Sequence, residues 1–102
     1  MELVEQRLHY IDLIHLYGEL LSSTQQEILK DYFLFDLSLS EIAEARNVSR
    51  AAIEDALKKG IKKLEEYENK LQIDHKNKKI IALLKEEKVN PELIKKIEEE
   101  IK

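Results

Sequence analysis

The chain has 102 residues, of which 43% are hydrophobic and 37% are charged, with two glycines, one proline and no cysteine. This composition favours a single all-α domain with a modest core, and the lack of cysteine excludes disulfides and thiolate metal sites. No apolar run approaches the roughly 20 residues that span a bilayer, and the acidic N-terminus lacks the basic region of a signal peptide. We therefore expect a cytoplasmic protein with no membrane association.

The formal net charge of −4 argues against indiscriminate binding of nucleic acid. The charge is distributed unevenly, because residues 1–37 carry a net charge of −5 and residues 38–102 carry +1. Any polyanion is thus expected to meet the second half of the chain.

Two helices are predicted in the acidic first part of the chain. The first runs from about Glu2 to Tyr17, and its apolar residues spread too widely for a single stripe, so we expect it to pack on two sides. One candidate for the second side is another subunit. Ser23 and Gln26 match a capping box that starts the second helix at about Thr24. The expected inward residues of that helix are Ile28, Leu29, Tyr32 and Phe33.

A helix-turn-helix is the strongest local signal in the chain. Ser38 and Glu41 match a capping box for a short helix over residues 39–46. Asn47 follows where a left-handed residue is needed, since asparagine tolerates that conformation better than most residues with a Cβ. Ser49 is a fresh N-cap that starts a fourth helix. This arrangement can present the N-terminal end of the fourth helix to a DNA major groove.

The fourth helix is predicted to be long. A heptad seam extends it to about 22 residues, or roughly 33 Å, which overhangs a three-helix core. Gly60 on this seam indicates close approach by another helix. The distal end needs cover, either from C-terminal helices that fold back or from a second copy, and the expected oligomer interface comprises Leu64, Tyr67 and Leu71. The complete seam is Ile53, Leu57, Gly60, Leu64, Tyr67 and Leu71.

A break at residues 74–77 is expected to separate two C-terminal helices from the rest. The fifth helix is predicted near residues 78–87 with Ile80, Ile81 and Leu84 inward. Asn90 and Pro91 mark the start of the sixth as N-cap and first helical residue. Its expected apolar face is Leu93, Ile94, Ile97 and Ile101. Residues 1–72 would form the helix-turn-helix domain, and residues 73–102 a helical pair packed on it or on a partner subunit.

The start of the fourth helix holds one candidate base reader. The guanidinium of Arg50 can bracket a guanine edge, although pairing with an acid such as Glu44 is an equal alternative. Glu54 and Asp55 place two negative charges beside it. Because affinity for nucleic acid comes from neutralised phosphates, these carboxylates disfavour DNA binding.

A basic cluster follows on the same helix. Lys58 and Lys62 lie one turn apart on the outer face, so the cluster can contact phosphates of RNA or DNA. The alternative is a solvated face with Lys62 and Glu66 as an i, i+4 pair. The candidate nucleic-acid-binding residues are Ser49, Arg50, Lys58, Lys59, Lys62 and Lys63.

Catalysis, metals and cofactors are not expected. His9, His15 and His75 lack metal-ligand spacing, and no glycine-rich loop could hold phosphates. The serines are better explained as caps and turn residues than as nucleophiles.

The segment from Leu21 to Leu64 resembles region 4 of bacterial sigma factors, with L-S-x-x-E-I-A-E at residues 37–44 and V-S-R at residues 48–50. Together with the Leu- and Tyr-rich first helix and the segment from Leu64 to Leu71, the chain resembles the YlxM-like family of Gram-positive bacteria and mollicutes. The resemblance implies small dimeric proteins encoded beside the signal recognition particle protein and its receptor.

We therefore predict a non-enzymatic regulatory or accessory protein, with the signal recognition particle protein or its RNA as the implied partner. The alternative is a dimeric DNA-binding transcriptional regulator that uses Arg50 and the lysines. A scaffold without nucleic-acid contact also fits the acidic balance.

Overall fold

The computed structural model describes residues Val4–Ile101, and within them the chain is helical with no strand. A short 3₁₀ helix (Gly18–Leu20) follows the first α-helix. The all-α prediction, with a long fourth helix and two C-terminal helices, is confirmed; the predicted start at Glu2 lies outside the described residues. The α-helices are α1 (Val4–Tyr17), α2 (Ser23–Phe33), α3 (Leu39–Arg46), α4 (Arg50–Leu71), α5 (Ile73–Glu86) and α6 (Pro91–Glu100).

The core lies around the first half of α4, against which α1, α2 and α3 pack. Gly60 is buried at the crossing of α2 and α4, where a Cβ would lie 2.9 Å from Leu29 Cδ1. The predicted close approach at this glycine is thus found within the chain. Residues that are at most 3% exposed are Leu13, Ile14, Tyr17, Leu29, Phe33, Ile42, Ile53 and Leu64.

The helix-turn-helix forms as its local signals predict. Ser38 Oγ accepts from the Glu41 amide and Glu41 Oε1 accepts from the Ser38 amide, both at 3.0 Å. The hydrogen bond from the Ser38 amide, followed by the interaction with the Ser38 side chain, lowers the pKa of the Glu41 carboxyl. Asn47 adopts the left-handed conformation (φ 56°, ψ 45°), and Ser49 Oγ accepts from the Ala52 amide at 3.0 Å. The turn and both helix starts are therefore fixed by the residues that the sequence singles out.

The predicted capping box for α2 is wrong by one residue. Ser22, and not Ser23, is the N-cap, and its Oγ accepts from the Gln25 amide at 3.2 Å. Two adjacent serines offer the same hydroxyl. The residue before the observed N-cap, Leu21, is buried.

The predicted break at residues 74–77 is also wrong. The chain turns at Gln72, which is left-handed at φ 53°, and α5 begins directly afterwards. Asp74 lies inside α5, almost fully buried, with Lys78 Nζ 2.9 Å from its Oδ2. A polar run that looks like a loop is thus part of a helix because its acid has a partner one turn away.

The C-terminal helices pack on the same chain, with α5 against α1 and α4 and α6 against α5. Lys78 Nζ is 3.1 Å from Asp12 Oδ2 on α1. The second side of α1 therefore has an intramolecular partner. Asn90 caps α6 with Pro91 in its first turn, as predicted, and Ile94 is buried.

Two apolar residues expected to face inward do not. Ile80 on α5 and Leu93 on α6 are each about half exposed, whereas Ile81 and Leu84 are partly buried. The inward face of α5 is set by Asp74 and by the residues that follow it at helical spacing. Ile80 is about 100° around the helix from Ile81 and falls outside that face.

Candidate nucleic-acid interface

The N-terminal end of α4 stands at the surface, where a recognition helix must be. Arg50, Ala51 and Ala52 are exposed, as is Ser49 before them. The hydroxyl of Ser49 is occupied by the helix cap. Its role is thus to orient the helix end, and the side chains of the first turn remain available for contact.

Arg50 has no acidic partner: no carboxylate of residues 4–101 lies within 4.0 Å of its guanidinium. Pairing with Glu44 is therefore not observed. The nearby Arg46 behaves differently, since its Nη2 lies 2.9 Å from Glu27 Oε2 and 3.8 Å from Asp31 Oδ2. Arg46 ties α3 to α2, and Arg50 projects to solvent.

The two acids beside Arg50 are paired with lysines one turn further along. Lys58 Nζ is 3.5 Å from Glu54 Oε1, and Lys59 Nζ is 3.0 Å from Asp55 Oδ2. All four side chains are at least half exposed, apart from Glu54 at 49%. Exposed pairs of this kind contribute little free energy, but they neutralise the two acids as long as they are formed.

Lys62 and Lys63 are exposed, and among the described residues no carboxylate lies within 4.0 Å of either ammonium. The alternative pair of Lys62 with Glu66 is not formed. With Arg50, these lysines give three unneutralised cations along one helix. At 1.5 Å per residue, Arg50 and Lys62 are about 18 Å apart along the axis.

The expected oligomer interface is only partly at the surface. Leu64 is completely buried within the chain, so its assignment to an interface is corrected to the core. The ring of Tyr67 packs 6.0 Å from the ring of Tyr17. Leu71, beyond the core, remains 46% exposed.

The joint between α4 and α5 depends on two residues that sequence reasoning missed. The hydroxyl of Tyr17 donates to Glu68 Oε1 at 2.7 Å and accepts from the Ile73 amide at 3.2 Å. The carboxylate of Glu68 also accepts from the amides of Asp74 and His75, each at 3.1 Å. A side chain from α4 thus caps α5 across the turn. In the sequence, the only sign of this cap is an acidic residue a few positions before the start of α5.

Opposing effects act on the pKa values at this joint. Burial would raise the pKa of Glu68, but the Tyr17 hydroxyl, the two amides and the charge of His9 together lower it. Burial, followed by the hydrogen bond to Glu68, raises the pKa of Tyr17. The pair is therefore held as carboxylate acceptor and phenol donor.

Within Val4–Ile101, no group of three or more His, Asp or Glu side chains could hold a metal ion. Among these residues, no helix has the length and apolarity that crossing a membrane requires.

A four-helix core with a capped turn, and a second helix whose N-terminal end is exposed, defines a helix-turn-helix protein. Comparison with known families agrees: a family model described as "Putative helix-turn-helix protein, YlxM / p13 like" matches residues 4–102. The chain belongs to this family, UPF0122. The resemblance found in the sequence is thereby confirmed.

Relatives are found in several bacteria. A UPF0122 protein of Fusobacterium nucleatum is 41% identical over 99 residues, which cover 94% of this chain and 96% of the relative. One from Malacoplasma penetrans is 55% identical over 60 residues, or 59% and 56% of the two chains. One from Clostridium novyi is 44% identical over 78 residues, or 76% and 68%.

Proposed function

We propose that this protein is a non-enzymatic regulator that binds RNA through the outer face of α4 and acts in the signal recognition particle pathway. The observation that supports RNA binding is the group of unneutralised cations on α4. The pathway is supported by the gene neighbourhood that the YlxM-like resemblance implies. The implied ligand is the RNA of the particle, with its protein as a further partner.

The arrangement of charges on α4 favours a structured polyanion over a specific duplex. Lys62 and Lys63 lie three turns beyond the helix tip, away from the end that would enter a major groove. At the N-terminal end of α4, Glu54 and Asp55 would repel phosphates unless their ion pairs with Lys58 and Lys59 remain formed. Affinity would therefore come from the side of the helix, through phosphate contacts that carry little sequence information.

A dimeric DNA-binding regulator is the second candidate, and the unpaired Arg50 favours it. An exposed guanidinium in the first turn of a recognition helix can read a guanine. This candidate requires that sequence discrimination depend on Arg50, and that two copies present their helices about 34 Å apart.

The decisive measurement is affinity against salt concentration for Lys62→Gln/Lys63→Gln, using in vitro transcribed signal recognition particle RNA. Each lost phosphate contact lowers the slope of log K against log salt by about 0.9 for a duplex, so the double variant should lose nearly two. Affinity near physiological salt should fall at least about tenfold. Lys95→Gln/Lys96→Gln, two exposed lysines on α6, is the matched control.

Arg50→Ala separates the two candidates in the same assay. Under the RNA proposal it should weaken binding less than the lysine variant. Tight, base-dependent capture of a DNA duplex that Arg50→Ala abolishes, with RNA binding insensitive to the lysines, would establish the DNA-binding regulator instead.

The proposal includes a homodimer. Its interface would centre on Leu71, which lies next to the exposed Ile73, with Ile80 two turns further along α5. Exposed apolar side chains on both sides of the turn at Gln72 would suit a protein contact.

A further inference from the structure

The outer face of α1 carries a second apolar stripe, which is exposed at its N-terminal end and meets the core at Ile11. Val4 and Leu8 are 74% and 56% exposed, and Ile11 and His15 continue the same face at spacings of three and four. The opposite face of α1 is the buried one. Val4 and Leu8 therefore lie away from the core, whereas Ile11 lies at its edge.

The C-terminal end of this stripe enters a cavity between α1, α5 and α6. The cavity has a volume of about 570 Å³ and apolar walls formed by Ile11, Leu16, Ile81 and Ile101. Leu8 lies one turn before Ile11 on the same face, so the exposed part of the stripe leads towards the cavity, and we refer to the two together as the groove. From Val4 to Leu16 it runs about 18 Å, or just over three helical turns.

Acidic side chains dominate the charged groups along this groove. Asp12, Asp74 and Glu98 line the cavity, with His15 and Lys78. Lys78 is engaged by both Asp12 and Asp74, and Lys85 Nζ lies 3.8 Å from Glu98 Oε1. Glu5 adds an exposed carboxylate two turns before Asp12. Among the described residues, these four acids outnumber the two lysines that pair with them.

We propose that this groove binds an amphipathic helix of another protein, one whose polar face carries lysine and arginine. An apolar floor of three turns accepts residues at i, i+3, i+4 and i+7, which is how a helix binds in a groove. The acidic rim selects basic flanks. A second copy of this chain fits poorly, since a symmetric contact would place two acidic rims against each other.

The test uses a synthetic 18-residue peptide with leucine at helical i, i+3, i+4 spacing and lysine on the flanks, measured by fluorescence anisotropy with the full chain. A peptide with glutamate in place of each lysine is the charge control. We expect the lysine peptide to bind at least about tenfold more tightly, with a preference that declines as salt rises.

A pair of variants locates the site. Leu8→Ser should weaken the lysine peptide about tenfold, because it removes a large apolar contact from the groove. Leu20→Ser is the matched control, since Leu20 is also exposed (58%) but lies in the 3₁₀ turn. Both positions are solvent-exposed, so both variants should fold, which circular dichroism checks.

Three results would overturn the proposal: equal binding of both peptides, equal effects of Leu8→Ser and Leu20→Ser, or a change of oligomeric state caused by Leu8→Ser. The last would show that a second copy fills the groove. The site is independent of α4, so Lys62→Gln/Lys63→Gln should bind the peptide as the unmodified chain does. Failure of the RNA proposal would therefore be distinguishable.

Discussion

At the scale of single residues, Glu68 has the most consequential set of contacts in the chain. One carboxylate accepts from the hydroxyl of Tyr17 and from the first amides of α5, so it fixes the direction in which α5 leaves α4. Those amides belong to a helix start that otherwise has no side-chain cap. Removal of the charge should therefore loosen the joint before it affects the core.

We predict that Glu68→Gln lowers the free energy of unfolding by about 1–2 kcal/mol, because charge-assisted hydrogen bonds become weaker neutral ones. Hydrogen exchange at the amides of Asp74 and His75 should speed up more than exchange in the first half of α4. Glu66→Gln, an exposed acid on the same helix, is the control and should change neither quantity.

The role of Glu68 also predicts how the stability of the fold changes with pH. The folded pKa of Glu68 is lowered from 4.5, so its stabilisation is complete above that value and is lost as pH falls towards the folded pKa. Urea unfolding between about pH 6 and about pH 3 should lose less stability in Glu68→Gln than in the unmodified chain. Parallel curves for the two proteins would contradict this role.

Residue type alone predicts the caps at Ser38, Ser49 and Asn90, because each acts on amides two or three positions away. It does not predict Gln72 as the joint, since glutamine is no better than its neighbours at a left-handed angle. Of the two partners that hold that turn, Glu68 lies on α4 just before it, whereas Tyr17 comes from α1. Contacts of that kind depend on the fold and are not visible in local spacing.

At the scale of secondary-structure elements, α4 organises the molecule through its contact with α2 at Gly60. Glycine in a helix interior is about 1 kcal/mol less favourable than alanine. That cost is offset by the approach of Leu29, which is fully buried and lies where a Cβ would be. The glycine on the seam is thus explained by an intramolecular crossing.

We predict that Gly60→Ala destabilises the fold by about 1 kcal/mol net, since overpacking of about 1–3 kcal/mol exceeds the gain in helix propensity. Thermal unfolding would measure it. Leu29→Val shortens the obstructing side chain, so the double variant should cost less than the sum of the single ones. Strict additivity would show that the contact with Leu29 is not the cause.

The heptad seam predicts the length of α4 but not which of its residues are buried. It correctly predicts one helix of 22 residues from Arg50 to Leu71. It cannot tell which seam residues the chain covers itself. Leu64 is covered by the chain's own core and Leu71 is not, because the difference depends on where the other helices end.

At the scale of the whole molecule, the structure separates a basic helix side, an acidic groove and an apolar end. The molecule extends over 51 Å in its longest dimension and about half that in the other two. The charge asymmetry of the sequence directed attention to the second half of the chain, which carries the basic side of α4, but the acidic groove draws Asp74 and Glu98 from that same half. The groove itself was not predictable, since it requires α5 and α6 to be placed against α1.

We predict that Leu71→Lys dissociates the proposed homodimer by placing a charge in its apolar centre. Light scattering after size exclusion should show the mass fall from twice the chain mass to 12.0 kDa. Leu20→Lys, at a similarly exposed leucine, should leave the dimer intact. A monomeric unmodified chain would reject the dimer.

The continuity of α4 through to Gln72 has a consequence for chain length. Each residue of an α-helix advances the azimuth by about 100°, so one residue gained or lost between Leu64 and Leu71 would swing everything beyond it by over a quarter circle. Lys78 would then point away from Asp12, and Glu68 could not serve Tyr17 and α5 together. We expect this interval to accept many substitutions but no insertion or deletion, because the number of residues in it sets the direction in which α5 and α6 project from α4.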